Sequence, residues 1–152
     1  MERTQLESTS PAATERVAEA VGRALHPGDV VLIAGDVGTG KTTFVRGACR
    51  ALGVTDRVTS PSFTIGQTYA GRVPVAHVDL FRLEDLSHED PALLADYVTP
   101  DRVSFVEWPG AALPWIDRER VVLELELTHA GGDRRRLEAA GRSILVDALC
   151  AA

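Results

Sequence analysis

An unbroken apolar run at residues 30–34, followed at once by a glycine-rich stretch, constrains the fold of this 152-residue chain more than any other feature. Such a run of β-branched and apolar residues is typical of a strand buried on both faces of a sheet. Beyond the glycines, apolar residues recur at helical spacing, at Phe44, Val45, Ala48, Cys49 and Leu52. Gly53 can end this helix in a left-handed conformation. The order of strand, turn and helix therefore predicts an α/β protein with a parallel, helix-covered sheet.

Further elements in the first half of the chain follow from periodicity and turn residues. Ser10 as N-cap and Pro11 at the first helical position predict a helix that ends before residues 26–28. Residues 63–69 and 73–78 predict two strands joined by a short turn. Because a hairpin pairs its strands antiparallel, the sheet is predicted to be mixed.

The second half of the chain predicts a helical stretch, a core strand and a hairpin. Residues 84–98 are acidic and helical with a proline break, and residues 103–106 form an apolar strand. Residues 120–128 alternate polar and apolar side chains, and two glycines lead to a return strand at 134–139. We expect a solvated antiparallel hairpin here, followed by a closing helix at 144–149.

Composition favours one domain, predicted at residues 10–150, with the polar residues 1–9 predicted to be loose. The net charge of −6 should repel phosphate backbones and anionic membranes, so any contact with nucleic acid would be local or supplied by a partner. No apolar run approaches the roughly 18 residues of a membrane span, and no signal peptide is recognisable. Cys49 and Cys150 lack metal-type spacing, which predicts reduced, buried thiols in a cytoplasmic protein.

Residues 35–42, GDVGTGKT, fit the pattern G-x-x-x-x-G-K-[ST] and are called the P-loop below. The glycines allow successive N–H groups to point at phosphate oxygens, and the start of the following helix adds its positive end. We expect the Lys41 ammonium to reach the β- and γ-phosphates and the Thr42 hydroxyl to bind Mg²⁺. The residues predicted to contact the nucleotide here are Gly35, Asp36, Val37, Gly38, Thr39, Gly40, Lys41, Thr42 and Thr43.

Lys41 is the only lysine in a chain with fifteen arginines, which indicates that this position requires an ammonium group rather than a guanidinium. A planar guanidinium is bulkier and would fit a small phosphate site badly. The chain has no N-K-x-D sequence to recognise guanine, which favours ATP. The alternative is a glycine-rich turn without catalytic consequence, although a chance match to the whole motif has odds of about one in a thousand. The motif and its context predict a P-loop NTPase-like three-layer α/β sandwich with a mixed, mainly parallel central sheet and an antiparallel hairpin.

Two acids follow predicted core strands, where a nucleotide-hydrolysing site holds Mg²⁺ or orients water. Glu107 follows the more apolar strand and is predicted to be the Walker B acid. Asp79 follows residues 75–78 and could complete the metal shell through water. Each acid could instead cap a strand end or pair with an arginine such as Arg82.

Four other features carry weaker signals. The hydroxyls of residues 60–64, Ser62 among them, could form a γ-phosphate sensing loop or an ordinary turn. His77 is more simply a packed or hydrogen-bonded histidine than a base. Trp108 could pack in the core or cover a nucleotide. Residues 134–136, three arginines, are most simply a solvated hairpin edge, with a phosphate or RNA contact as the minority interpretation.

Taken together, these residues resemble the bacterial TsaE (YjeE) family, small P-loop ATPases needed for the threonylcarbamoyladenosine modification of tRNA. The shared signatures are GDVGTGKTT at 35–43, SPSFT at 60–64, HVDLFR at 77–82 and VEWP at 106–109. They occur in family order and at family-like spacing, and the resemblance covers roughly residues 10–140. The P-loop alone is common to very many proteins, whereas the four signatures together are specific.

The resemblance implies roles for particular residues. Residues 38–43 would bind the phosphates of ATP, and Mg²⁺ would be surrounded by Thr42, Asp79 and Glu107. Residues 60–64 would act as a switch, in which Ser62 replaces the usual threonine and keeps its hydroxyl.

The resemblance also places Trp108 near the nucleotide and implies partners. Phe81 stands where the family usually has tyrosine, so a hydroxyl is lost there. The implied partners are TsaD, the threonylcarbamoyl transferase, and TsaB, its scaffold paralogue, with tRNA reached only through their complex. ATP hydrolysis would support turnover of that assembly.

Two other functions remain open at this point. A small-molecule kinase of P-loop type would close an arginine-bearing lid over the phosphates, whereas residues 84–98 are acidic. A binding module could use ATP only as a conformational ligand. An accessory ATPase is favoured because so short a chain leaves little room for a separate substrate domain.

Overall fold

The computed structural model describes residues 1–61, 65–81 and 92–152. The strands in these ranges are β1 (Glu2–Ser8), β2 (Val30–Gly35), β3 (Gly66–Tyr69), β4 (Val75–Asp79), β5 (Val103–Glu107), β6 (Val121–His129) and β7 (Arg135–Gly141). The helices are α1 (Pro11–Arg23), α2 (Lys41–Ala51), α3 (Ala92–Ala95) and α4 (Ser143–Ala151), with 3-10 segments at Pro109–Trp115 and Arg118–Arg120. The predicted helical stretch at 84–98 is therefore described only from residue 92 onward. None of these helices is long and apolar enough to cross a membrane.

The described strands form one sheet in the order β1-β7-β6-β2-β5-β4-β3. Its centre is parallel, because β2 pairs in parallel with both β6 and β5, and β5 pairs in parallel with β4. Antiparallel pairs complete both edges: β3 with β4, and β7 with β6 and β1. The mixed sheet with a parallel centre and an antiparallel hairpin is confirmed. The carboxyl ends of β2, β4 and β5 consequently meet at one edge, where the predicted site residues lie.

Helices cover both faces of the sheet, so the three-layer arrangement is confirmed. One face packs against α1, α2 and α4, and its core includes the fully buried Phe44 and Phe105. The other face carries a smaller core in which Val106 of β5 packs with Leu94 of α3 and Ala112 of the following 3-10 segment. The predicted N-cap of α1 is also present, because the Ser10 hydroxyl accepts a hydrogen bond from the Ala13 N–H at 3.1 Å.

The prediction that residues 1–9 are loose was wrong. Glu2–Ser8 form β1, which pairs along the whole length of β7. The segment contains few apolar residues, so a strand was only weakly indicated by its sequence. Without β1, the outer edge of β7 would expose a row of unpaired backbone N–H and C=O groups, and a further strand can pair with them. At the end of β1, the buried hydroxyls of Ser8 and Thr14 lie 2.6 Å apart and join the strand to α1.

The hairpin of β6 and β7 is less solvated than predicted. β6 lies between β7 and β2, and its side chains Leu123, Leu125 and Leu127 are buried. Glu126 and Thr128, at alternate positions, are exposed. The error arose because alternation identifies the two faces of a strand but cannot say which strands flank it.

The two cysteines differ in their surroundings. Cys49 is buried as predicted, and burial raises the pKa of its thiol to about 12. Cys150 is exposed, so the prediction that it is buried was wrong. Both thiols are free.

Gly47 allows α1 and α2 to pack in close contact, which gives a prediction for stability. A Cβ atom at Gly47 would lie 2.4 Å from the Glu15 carbonyl oxygen and 2.8 Å from the Glu15 Cα. These are backbone atoms, so Gly47→Ala must move the helices apart. We expect a loss of about 2 kcal/mol in the free energy of unfolding, measured by urea denaturation.

The matched control for this substitution is Gly110→Ala, since a Cβ atom at Gly110 would have no described atom within 4 Å apart from its own local segment. This control should unfold at the same urea concentration as the original chain. A Gly47→Ala variant that did likewise would show that the two helices do not require close contact.

Candidate functional site

The P-loop connects β2 to α2, as predicted, and its shape depends on glycine. Gly38 and Gly40 have φ angles of 78° and 98°, in the left-handed region that other residues avoid. Gly40 is the N-cap of α2, and no side chain in the described ranges caps the helix there. The N–H groups at the start of α2 therefore face the loop, an arrangement that suits an anion.

Lys41, the first residue of α2, is only 6% exposed. Its ammonium group donates hydrogen bonds to the carbonyl oxygens of Gly35 and Asp36, both at 2.8 Å, and lies 4.5 Å from the centre of the Trp108 ring. Burial lowers the pKa of Lys41 below its usual value, because desolvation disfavours the charged form. The negative charges of Glu107, Asp79 and Asp36 partly oppose this shift in pKa.

Thr42 and Glu107 meet directly, although β5 lies far along the chain from α2. The Thr42 hydroxyl lies 3.0 Å and 3.2 Å from the two carboxylate oxygens of Glu107, to which it donates. Glu107 is 2% exposed. Asp79 lies directly opposite Glu107 in the register of β4 and β5. The structure thus brings the three predicted metal ligands to one edge of the sheet.

Two hydrogen bonds from described residues hold the Asp79 carboxylate. The Ser60 hydroxyl donates to one carboxylate oxygen at 2.7 Å, and the Phe81 N–H donates to the other at 2.9 Å. Ser60 comes from the SPSFT signature, so that segment contacts the predicted metal shell. Ser62, also predicted to bind the nucleotide, and Arg82, the alternative ion-pair partner, lie outside the described residues.

His77 is fully buried and contacts Glu107. Its Nε2 lies 2.5 Å from a Glu107 carboxylate oxygen. An ionised carboxylate only accepts hydrogen bonds, so Nε2 is the donor in the tautomer that pairs with an ionised Glu107. The opposite ring nitrogen, Nδ1, is buried without a hydrogen-bond partner in the described part of the chain. His77 is therefore a hydrogen-bonded histidine, as predicted, and it orients the Glu107 side chain.

Trp108 has a strained backbone next to Glu107. Its φ of 55° is the only positive value at a residue other than glycine in the described ranges, and such a conformation costs about 1–3 kcal/mol. The Trp108 N–H donates to the Ile33 carbonyl oxygen at 3.1 Å, which holds the residue beside β2. The ring packs against Phe81 with centroids 4.8 Å apart. Trp108 thus lies between the core and the Lys41 ammonium, and its contact with a nucleotide stays a prediction.

A cavity of about 350 Å³ opens beside the P-loop. Residues lining it are Gly38, Thr39, Gly40, Lys41, Thr42, Thr43 and Glu107, together with Pro11, Thr14, Asp133 and Arg135. The first seven were predicted, whereas the last four were not. Gly35, Asp36 and Trp108 line a separate cavity, and Val37 is 69% exposed. Of these four residues, only Arg135 belongs to a pattern noted in the sequence, the arginine triplet at 134–136. The triplet by itself does not show which arginine reaches the P-loop.

Comparisons with known proteins agree with this architecture. The family model for the threonylcarbamoyl adenosine biosynthesis protein TsaE matches residues 8–137. The chain belongs to the TsaE family.

Relatives of this TsaE family member include tRNA threonylcarbamoyladenosine biosynthesis proteins TsaE from several bacteria. The protein of Bacillus subtilis is 36% identical over 138 residues, which cover 90% of this chain and 85% of the relative. That of Treponema pallidum is 33% identical over 127 residues, covering 84% and 93%. The crystal structure of Bacillus subtilis YdiB superposes with a TM-score of 0.79 at 29% identity, covering 99% of this chain and 95% of that one.

The oxygen atoms at this TsaE-family site have the chemistry that magnesium prefers. Mg²⁺ is commonly held by one or two carboxylates and by the phosphates of the substrate. Glu107 and Thr42 supply a carboxylate and a hydroxyl in contact with each other, and Asp79 supplies a second carboxylate beside them. These residues fit a magnesium ion that is bound together with a phosphate ligand.

Proposed function

We propose that this chain binds ATP with Mg²⁺ at the P-loop cavity and hydrolyses it, as an accessory ATPase in the biosynthesis of threonylcarbamoyladenosine in tRNA. The observation that carries the proposal is the contact between the Thr42 hydroxyl and the Glu107 carboxylate. It joins the helix that follows the P-loop to the acid of a neighbouring parallel strand. This is the pairing of groups that P-loop chemistry needs around its metal ion. Membership of the TsaE family supports the assignment to tRNA modification.

Phosphate binding would give the Lys41 ammonium a stronger hydrogen-bond acceptor than it has now. Its ammonium now donates to two neutral carbonyl oxygens, and a phosphate oxygen accepts a charge-assisted hydrogen bond that is roughly twice as strong. We therefore expect the ammonium to exchange at least one carbonyl for a phosphate oxygen. The nearby anion would also raise the pKa of Lys41 from its lowered value.

The metal ligands would be Thr42 and Glu107, with Asp79 acting through water. When bound, Mg²⁺ would neutralise charge that develops on the β- and γ-phosphates. Glu107 would carry out its role in a fixed orientation, because His77 and Thr42 both donate to its carboxylate. Ser60 would hold Asp79 in the same way.

The partners in this proposal are TsaD and TsaB, and tRNA would be reached through their complex in the cytoplasm. The net charge of −6 supports an indirect route, because the chain as a whole repels an RNA backbone.

The experiment that tests this function is a phosphate-release assay with Mg-ATP, with and without purified TsaB and TsaD. Release should be slow for the chain alone and faster in the presence of both partners. Transfer of phosphate to a metabolite in place of water would favour the small-molecule kinase. ATP that is bound but never split, even with both partners, would favour the binding module.

Trp108 should report nucleotide binding directly. If Lys41 moves toward phosphate, its contact with the Trp108 ring changes, and the indole fluorescence should change with it. We expect a saturable change in emission when Mg-ATP is added to the Trp115→Phe variant, in which Trp108 is the only remaining tryptophan.

The control for the fluorescence titration is Trp108→Phe, which retains only the half-exposed Trp115. Its emission should not respond to Mg-ATP. A constant signal from Trp108 at nucleotide concentrations that saturate binding, measured separately by calorimetry, would contradict the expected movement of Lys41.

A further inference from the structure

We propose that Arg135 is a phosphate-contact residue of this site and supplies a second fixed positive charge to the nucleotide. The proposal rests on the proposed function, because it assigns a ligand contact within the same cavity. It also changes the interpretation of the arginine triplet at 134–136, for which a solvated edge was the favoured prediction.

The contact between Arg135 and the P-loop is the first observation. Arg135 begins β7, and its Nη2 donates to the Gly38 carbonyl oxygen at 3.1 Å, across 97 positions of sequence. Nη1 donates to the carbonyl oxygens of Gly132 at 2.7 Å and Arg134 at 2.9 Å. The guanidinium is therefore held between its own turn and the P-loop, where it lines the cavity that contains Lys41.

A second contact fixes the end of the hairpin against the loop. The His129 Nε2 lies 3.3 Å from the Val37 carbonyl oxygen, one residue before the position that Arg135 contacts. The two strands of the hairpin therefore touch consecutive residues of the P-loop. Arg135 consequently lies at a defined position beside the loop.

The charges lining the cavity favour a role for Arg135 in binding an anion. Among the described residues, Lys41 and Arg135 are the basic ones of the lining, and Glu107 and Asp133 are the acidic ones. Without Arg135, a polyphosphate would meet one ammonium and two carboxylates from this described part of the lining. A guanidinium can form two parallel hydrogen bonds to a phosphate group, and these are stronger than its present bonds to neutral carbonyl oxygens.

The neighbouring arginines lie elsewhere and provide matched controls. Arg134 forms an ion pair with Glu7 at 3.7 Å, and Arg136 lies opposite Glu7 in the register of β1 and β7. Both are exposed, and neither lines the cavity. Replacing any of the three arginines changes the net charge equally, so only a local contact distinguishes them.

The test is calorimetric titration of the full chain with ATP, ADP and AMP in the presence of Mg²⁺. We expect Arg135→Ala to weaken ATP binding about tenfold, the usual cost of a lost hydrogen bond to a charged group. Arg134→Ala and Arg136→Ala should stay within about twofold of the original chain, because exposed charges contribute little. Comparison of the three nucleotides locates the contact, since a lost bond to a β- or γ-phosphate leaves AMP binding unchanged.

Arg135→Gln and Arg135→Lys distinguish a contact with phosphate from a role in which Arg135 only holds the P-loop through its hydrogen bond to Gly38. A glutamine amide can still donate to the Gly38 carbonyl oxygen but carries no charge, so Arg135→Gln should bind ATP as weakly as Arg135→Ala. Arg135→Lys keeps the charge and should recover part of the affinity, with a steeper dependence on salt than the glutamine variant. Both variants also preserve a long side chain if the alanine variant folds poorly.

Two outcomes would overturn the assignment of Arg135. In the first, Arg135→Ala or Arg135→Gln binds ATP as tightly as the original chain, which leaves the proposed function intact. In the second, Arg136→Ala loses as much affinity as Arg135→Ala, which indicates a general effect of charge. Failure of the original chain to bind any of the nucleotides would instead refute the proposed function, and the role of Arg135 with it.

Discussion

Replacing Lys41 with alanine should weaken the binding of Mg-ATP by about 100-fold, which corresponds to the loss of a strong charge-assisted hydrogen bond in a desolvated site. The ammonium is 6% exposed, and the charges of Glu107, Asp79 and Asp36 lie near enough to affect its pKa. Without it, less positive charge would remain to offset the repulsion between the phosphates and these carboxylates. Equilibrium dialysis against labelled ATP measures the effect, and unchanged binding would refute the role of Lys41.

Lys41→Arg is the informative companion to this variant. It keeps the positive charge, but the ammonium is enclosed by two carbonyl oxygens at 2.8 Å and by the Trp108 ring at 4.5 Å. A planar guanidinium is too large for this space, so affinity should fall here as well. Binding restored by arginine would show that charge alone matters and that the shape of the ammonium does not.

The second large effect is expected from Glu107→Gln. Glutamine has nearly the same shape and can still accept a hydrogen bond from Thr42, so ATP binding should change little. Loss of the negative charge weakens the interaction of this side chain with the metal ion, and ATP hydrolysis should slow by about 100-fold. Single-turnover phosphate release with TsaB and TsaD present measures this rate.

Glu138→Gln serves as the control for this rate. Glu138 is exposed on β7 and does not line the P-loop cavity, so the variant removes an equal charge at a distance from the proposed reaction. Its hydrolysis rate should match that of the original chain. Normal turnover in Glu107→Gln would exclude Glu107 from the role proposed for it.

The P-loop could be predicted from sequence because its determinants are local. The buried strand, the glycines and the amphipathic helix follow one another between residues 30 and 52, and each is specified by neighbours a few positions away. The left-handed conformations of Gly38, Gly40 and Gly53 confirm this directly. Short-range steric restriction and side-chain periodicity are sufficient to define such a unit.

The arrangement of the two acids, Asp79 and Glu107, could be predicted only in part. The sequence placed Asp79 and Glu107 at the ends of apolar strands, but it could not show that β4 and β5 are neighbours. That adjacency also brings His77 against Glu107, a contact that depends on the register of the two strands. Strand ends are therefore visible in a one-dimensional pattern, whereas strand order is not.

The sequence by itself determined the P-loop, the α/β class and the acids that end the core strands, because these depend on residues close together in the chain. Only the tertiary structure decided that residues 2–8 complete the sheet and that Arg135, rather than Arg134 or Arg136, reaches Gly38. Successive side chains of a strand point to opposite faces, so one position of register selects which arginine meets the loop. That register is set by pairing between distant segments, which no local pattern specifies.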